Sequence, residues 1–336
     1  MKICEIEQSK TAAIDRASRF RCPACRSRMT ASDDEFACVA CSRRYPVVAG
    51  MIDFRPTSDR YLTLDAERAK AERLARIAAT TDLRGVAEAY YAMTPDPDPA
   101  RCRRFLAHIL SGERRGERLA ARLGDPGRVL EVGCGTGGFL LAGSRRGWDI
   151  NGVDIAARWL VVARRRLDDA GRCAELVAAS VESLPWPDAC FDTVVADSLV
   201  EHLDDPRTAL GECLRVLRPD GRLLLWSPNR FTATTDPHVR LWGVGYLPRG
   251  WAELYVRRRR GGAWLPKCLG PSGAGRVARE AGFADVHVGL PSLFAQEDKR
   301  LLARIYRGMS GIKAIECAAL PAAPLWELDA RKARSQ

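Results

Sequence analysis

Between residues 128 and 227, short apolar runs alternate with stretches of helical period, and the first run breaks off into Gly133-Cys-Gly-Thr-Gly-Gly138. Few folds satisfy that combination. Arg128–Val132, Asp149–Asp154, Ala174–Ala178, Phe191–Ala196 and Arg222–Ser227 read as strands, with helices over Phe139–Arg146, Ala157–Ala170 and Pro206–Leu217 between most of them. Apolar strands alternating with helices bury both faces of a parallel sheet, so the expected class is α/β, a doubly wound, mostly parallel, Rossmann-like sheet. Arg218-Pro-Asp-Gly221 is expected to turn before the fifth strand. Residues 229–270 break the rhythm, being rich in Trp, Gly, Pro and Arg and too long for a plain connection; a cap insertion is expected there. The rhythm resumes with a helix over 272–281, a strand over 285–288, a helix near 297–308 and a last strand over 325–330, which brings the sheet to seven strands.

The segment before residue 126 is of a different kind. Cys22-Pro-Ala-Cys25 and Cys38-Val-Ala-Cys41 are two C-x-x-C pairs separated by twelve residues. Each pair supplies two thiolates from one tight knuckle, and the spacing lets a hairpin bring the knuckles face to face around a tetrahedral zinc ion. Four thiolates close the coordination sphere, so such an ion is structural. The neighbouring Arg21, Arg26, Arg43 and Arg44 either offset the negative cluster or contact nucleic acid. Downstream, residues 58–92 and 101–123 read as amphipathic helices joined by the stiff Pro95–Pro99 linker. The expected organisation is a zinc ribbon over 1–56, a helical extension over 57–125 and a sheet domain over 126–331.

Twelve cysteines, eight of them without regular spacing, favour reduced thiols plus one metal site. The start lacks the apolar run of a secretory signal, and no stretch approaches the roughly 18 apolar residues of a membrane span. The expected location is cytoplasmic. A formal charge of +11 permits acidic substrates, nucleic acid or an anionic membrane surface and selects none of them.

Glycines 133, 135 and 137 lie between a strand and a helix, where a backbone can approach a ligand at the helix N-terminus. Alone, Gly133-x-Gly135-x-x-Gly138 also satisfies a dinucleotide fingerprint. Two carboxylates help decide. Asp154 ends the second strand, where it can accept hydrogen bonds from ribose hydroxyls. Glu131 precedes the loop, where it would repel a pyrophosphate but suits an ammonium and a sulfonium. The chemistry favours S-adenosylmethionine over a nicotinamide dinucleotide.

On these residues the chain resembles the class I S-adenosylmethionine-dependent methyltransferases. Leu130-Glu-Val-Gly-Cys-Gly-Thr-Gly137 is similar to their first motif and Gly152-Val-Asp-Ile155 to the acidic motif that follows. Ser183-Leu-Pro-Trp-Pro-Asp-Ala-Cys-Phe-Asp192, Val195-Ala-Asp-Ser-Leu-Val-Glu-His-Leu203 and Leu217–Gly221 resemble elements of the ubiquinone/menaquinone-type group. The resemblance implies cofactor contacts from Glu131, Gly133, Gly135, Gly137, Asp154 and Asp197. Where the family places an adenine-binding Asp after strand three, this chain has Ser180, followed by Val181; their implied roles are a hydroxyl contact and packing on the ring. The metal-assisted members carry E-x-x-E-H, whereas Ser198 replaces the first Glu here.

An activated methyl donor mainly needs alignment with its acceptor and, for some acceptors, a base. His202 is the candidate base; it equally suits a role in shaping the cofactor pocket. Asn229, Arg230, His238, Arg240, Trp242, Tyr246 and Trp251 are placed to select the acceptor, while Arg257–Arg260 is either a solvated helix end or an anion-binding run. The leading expectation is methyl transfer to oxygen, nitrogen or carbon of a small molecule or a glycan or lipid intermediate. The alternative is RNA base methylation, because zinc-containing rRNA guanine-N1 methyltransferases share the arrangement. An inert fold carrying a docking ribbon is a third reading, which intact Glu131, the glycines and Asp154 oppose.

Overall fold

In the computed structural model the described residues are 16–93, 99–262, 266–291 and 313–334. The helix expected near 297–308 and all of the Pro95–Pro99 linker but Pro99 lie outside them. The chain divides into two compact units, residues 1–194 with 215–218 and residues 195–214 with 219–336.

In the first unit the knuckle-bearing strands β1 (Met29–Ala31), β2 (Glu35–Cys38) and β3 (Arg44–Val48) form an antiparallel meander that continues into β4 (Met51–Asp53). Strand β4 then pairs in parallel with β7 (Glu175–Ala178), Ile52 opposite Val177 and Asp53 opposite Ala178. Beyond β7 come β6 (Asp149–Asp154) and β5 (Arg128–Val132), both parallel. All of β4 and the last four residues of β5 are buried, as parallel strands covered on both faces require. Among the described residues the seven strands expected from the sequence, β5 to β11, are all found, and the cysteine-bearing segment adds four more. The apolar Met51-Ile52 pair finds its cover by extending the sheet beside the buried β7.

Two long helices expected from periodicity are each broken in two. Residues 58–92 hold α1 (Leu64–Ala78) and α2 (Leu83–Ala92), because Asp82 accepts the Gly85 N–H at 2.9 Å and starts a new helix. Residues 101–123 hold α3 (Pro99–Leu110) and α4 (Gly112–Ala120), parted at Ser111, whose hydroxyl turns back to the His108 carbonyl. Helices α5 (Gly138–Arg145) and α6 (Ala157–Asp169) match expectation within a residue. Arg158 at the start of α6 donates to the carboxylates of Glu67 on α1 and Asp59, and Tyr90 of α2 lies 4.2 Å from the Trp159 ring. A buried charge network of this kind is costly to break, about 3–5 kcal/mol for loss of one partner.

Strand β8 (Phe191–Asp197) is divided between the units. In the second unit β9 (Leu217–Pro228) pairs antiparallel with β11 (Leu325–Arg331), which pairs antiparallel with β10 (Ala284–Gly289). The turn expected at 218–221 is absorbed into β9: the Asp220 N–H reaches the Lys332 carbonyl at 3.1 Å and the Lys332 N–H reaches that of Gly221 at 2.9 Å. Asp220 keeps a left-handed φ of 63°, the local trace of the Pro-Asp-Gly sequence. Helix α7 (Pro206–Val216) precedes β9; α8 (Arg249–Arg260), α9 (Pro271–Glu280) and α10 (Lys313–Ala319) follow it. Among the described residues no helix is long and apolar enough to cross a membrane.

Candidate functional site

The glycine loop sits where the sequence puts it, between β5 and α5. Gly133, Gly135 and Gly137 all have positive φ, at 68°, 48° and 74°. A Cβ on Gly137 would stand 2.8 Å from that of Ala163, so no side chain fits there without displacing α6. Asp154, at the end of β6, sets the loop: Oδ2 accepts the Gly135 N–H at 2.8 Å and Oδ1 the Ala156 N–H at 2.7 Å. Burial pushes this carboxyl up while the two donors pull it down. Each oxygen keeps a lone pair with which it can accept a hydroxyl. Glu131 is buried at the end of β5, in register with Gly152 of β6.

Two arginines that sequence reasoning passed over hold the loops around this cradle. Arg166, buried on α6, donates to the carbonyls of Thr136 in the glycine loop and Ile109. Arg55, paired with Asp53, donates to the Ile155 carbonyl at 2.7 Å, next to Asp154. Their signal was faint, since each is one arginine among many in a basic chain.

After β7, Ser180 caps a short 3-10 turn over Val181–Ser183, its hydroxyl oxygen accepting the Glu182 N–H at 3.2 Å. The cysteine-bearing segment holds this stretch. Ser183 Oγ donates to the Pro23 carbonyl at 2.7 Å, the Arg21 N–H to Pro185 at 2.8 Å, and Arg26 to Leu184 at 2.7 Å. Below them Phe20, Phe36, Tyr45, Phe54, Trp186 and Phe191 form one aromatic cluster.

The four cysteine sulfurs lie within 4.8 Å of one another, Cys22 and Cys41 at 3.6 Å and Cys25 and Cys38 at 3.4 Å. A tetrahedron with zinc–sulfur bonds of about 2.3 Å spaces its sulfurs about 3.8 Å apart, so the cluster fits that ion. The residue following each knuckle, Arg26 and Ser42, takes a left-handed φ, which closes both knuckles alike. The N–H groups of Ala40 and Cys41 point at Cys38 Sγ, and that of Ser27 holds the Cys25 thiol down to about 6. Arg44 pairs with Glu35, and Arg21 also caps the carbonyls of Ser18 and Phe20. With Arg26 these make three of the four knuckle arginines engaged by the chain itself.

The other predicted residues lie in the second unit. Ser198, at a left-handed φ of 57°, donates its hydroxyl to Asp197 at 3.0 Å. His202, half-exposed, ends a 3-10 turn with its Nε2 at 3.9 Å from Oε1 of Glu201. Glu201 is fully buried, its Oε2 accepts the Ser227 hydroxyl at 3.0 Å, and burial pushes its carboxyl up to about 7. His238 closes on the same oxygen, with Nε2 also at 3.9 Å, and its ring stands edge-on to that of His202 at 5.4 Å. The structure thus brings His202 together with Glu201 and His238, and His238 together with Asp236 and Cys268; Asp236 and Cys268 are the members that the sequence did not single out. Trp242, Tyr246 and Trp251 are exposed, with Trp242 stacked on Tyr246, and Arg260 donates to the carbonyls of Val239 and Arg240.

Strand, glycine turn, helix and strand-end carboxylate define a nucleotide-cofactor fold, and residues 130–225 match the family described as "Methyltransferase domain". That stretch is similar to methyltransferase domains, in line with the resemblance its motifs carry. Among its relatives are ubiquinone biosynthesis O-methyltransferases of Idiomarina loihiensis, 33% identical over 42% of this chain and 51% of that protein, and of Xanthomonas axonopodis pv. citri, 36% identical over 45% and 66%. The chain therefore spans between half and two thirds of these relatives' length. The phosphoethanolamine N-methyltransferase 2 of Haemonchus contortus, solved with phosphomonomethylethanolamine and S-adenosylhomocysteine, is 20% identical, covering 66% of this chain and 53% of that one with a TM-score of 0.45.

Proposed function

We propose that the protein transfers the methyl group of S-adenosylmethionine to a small-molecule, glycan or lipid-intermediate acceptor. The observation that carries this reading is the pair of hydrogen bonds that Asp154 accepts from the N–H groups of Gly135 and Ala156, the first of which fixes the glycine loop, with lone pairs left for ribose hydroxyls. In this reading Glu131 accepts the ammonium, Gly133, Gly135 and Gly137 give the ligand access to backbone, Val181 packs on the adenine, and Ser180 meets its edge. Asp197 lines the methionine end. When bound, the sulfonium supplies an already activated methyl; the chain's own residues orient it and exclude water. His202 takes a proton from an acceptor that carries one, and Glu201 beside it stabilises the imidazolium. Residues 229–270 act as the acceptor-selecting cap. Cys22, Cys25, Cys38 and Cys41 hold a structural zinc ion in a ribbon over 1–56, with 57–125 as the helical extension and 126–331 as the catalytic domain. The reading as an RNA enzyme draws no support from the three engaged knuckle arginines.

Calorimetric titration is expected to show one S-adenosylmethionine per chain and no binding of a nicotinamide dinucleotide. With a labelled methyl donor, label should enter a small-molecule extract and not RNA. Absence of S-adenosylmethionine binding would overturn the proposal, and label in RNA would overturn its acceptor class. A second expectation concerns the ribbon. Cys22→Ser should lose bound zinc, release the Leu184–Trp186 stretch and weaken cofactor binding by about tenfold, or about 1.4 kcal/mol. Metal content and calorimetry of the same sample check both; unchanged zinc would defeat the ligand assignment.

A further inference from the structure

We infer that Asp236, His238 and Cys268 form a second metal site, built for a divalent transition ion of the zinc class. One donor atom from each of the three lies within 4.8 Å of the other two, and His238 Nδ1 stands 3.6 Å from Asp236 Oδ1. Zinc bound to sulfur at about 2.3 Å and to nitrogen and oxygen at about 2.0–2.2 Å sets its donors about 3.3–3.7 Å apart, so contraction by a rotamer-scale movement completes the site. The donor set, a thiol, an imidazole and a carboxylate, mixes soft and hard ligands and disfavours magnesium or calcium, which take oxygen.

Three further observations point to a cation. First, His238 Nδ1 is buried and has no hydrogen-bond partner among the described residues, a state that costs free energy unless something accepts its lone pair. Second, the opposite nitrogen is turned toward a carboxylate. Nε2 faces Oε1 of Glu201, a buried carboxylate oxygen that also has no hydrogen-bond partner among the described residues. A carboxylate on the far nitrogen fixes the tautomer and makes the near one a better ligand. Third, the ligands are held in place by their own backbones. Asp236 Oδ1 accepts the N–H groups of His238 and Val239 at 2.8 and 3.0 Å, and the Asp236 N–H reaches Leu241 at 2.9 Å. On either side of Cys268, the Lys267 N–H binds the Glu201 carbonyl at 2.6 Å and the Leu269 carbonyl accepts from Arg230 at 3.1 Å.

The site differs in kind from the four-cysteine cluster. Three protein ligands leave a fourth position open, and coordination displaces the Cys268 thiol proton to solvent. Use of that position to hold an acceptor oxygen rests on the methyltransferase reading above; the metal count does not.

The test is the zinc content of the full chain after loading with excess zinc and gel filtration. The unaltered protein should carry two ions. Cys268→Ala and His238→Ala should each carry one, and Cys22→Ser should lose the other. Cobalt(II) titration of the unaltered chain needs no substitution: the first equivalent should give the intense charge-transfer absorption of several thiolates, and the second should add the weaker band of a single thiolate. One ion per unaltered chain, two ions retained in Cys268→Ala, or a second cobalt equivalent without a thiolate band each overturn the proposal. Loss of the second ion in His202→Ala but not in Cys268→Ala overturns it too, by placing the ion on the Nε2 side. Methyl transfer plays no part in these readouts, so failure here and failure of the proposed activity remain separate.

Discussion

Asp154→Ala is expected to weaken S-adenosylmethionine binding at least about 100-fold, equivalent to about 2.7 kcal/mol. Two effects add. The substitution removes the acceptor proposed for the ribose hydroxyls, and it also releases the N–H groups of Gly135 and Ala156, which the carboxylate holds at 2.8 and 2.7 Å. Hydrogen bonds to a charged group contribute about 1.5–3 kcal/mol each. With both released, the glycine loop must be re-ordered by the ligand on binding. Asp154→Asn keeps the shape and one good acceptor, so its loss should fall between those of wild type and alanine. Calorimetry on the three proteins measures this ranking, and an alanine variant with wild-type affinity would refute the assignment of Asp154.

The second large effect is on stability. Gly116 on α4 lies against the first turn of α5, where an added Cβ would sit 2.2 Å from the Gly138 carbonyl oxygen and 2.6 Å from the Phe139 nitrogen. Gly138 meets Gly112 of α4 as closely, at 2.3 Å from its carbonyl oxygen. Two helices touch here backbone to backbone, and the atoms in the way are main chain, which cannot rotate aside. Gly116→Val should therefore force the helices apart at a cost of about 3 kcal/mol, through overpacking and the poorer fit of a β-branched residue. At about 2–4 °C per kcal/mol, the midpoint of thermal unfolding should fall by roughly 10 °C. Because α5 begins at the glycine loop, cofactor affinity should fall in the same variant. A melting temperature within a degree or two of wild type would mean that the contact is looser than described.

Local chemistry explains which parts were legible. Strands β5 and β6 and helices α5 and α6 were readable to within a residue because their burial is continuous and the glycine turn between them requires φ above zero. The breaks at Asp82 and Ser111 were missed because a capping aspartate and a lone serine look, in a charged helical pattern, like any other polar face. The turn at 218–221 was correct as local propensity, and the partner strand overrode it by supplying hydrogen bonds from Lys332. Cysteine spacing revealed the knuckles, yet nothing in the sequence said that Met51–Asp53 would pair with β7, since strand partners are chosen at long range. The cluster around His238 was hardest to see. Asp236, His238 and Cys268 are far from Glu201 in sequence, and beside the singled-out His238 both Asp236 and Cys268 read as ordinary loop or core residues.

The parallel pairing of β4 with β7 has a consequence for solubility. A buried, nearly all-apolar strand such as β7 at the margin of a sheet would offer a row of open N–H and carbonyl groups, the template on which other chains add and precipitate. Here that margin is moved outward to β1, only three residues long and carrying the polar Thr30. The cysteine-bearing segment thus acts as a protective hem for the parallel strands, guarding the folded chain against its own kind at high concentration.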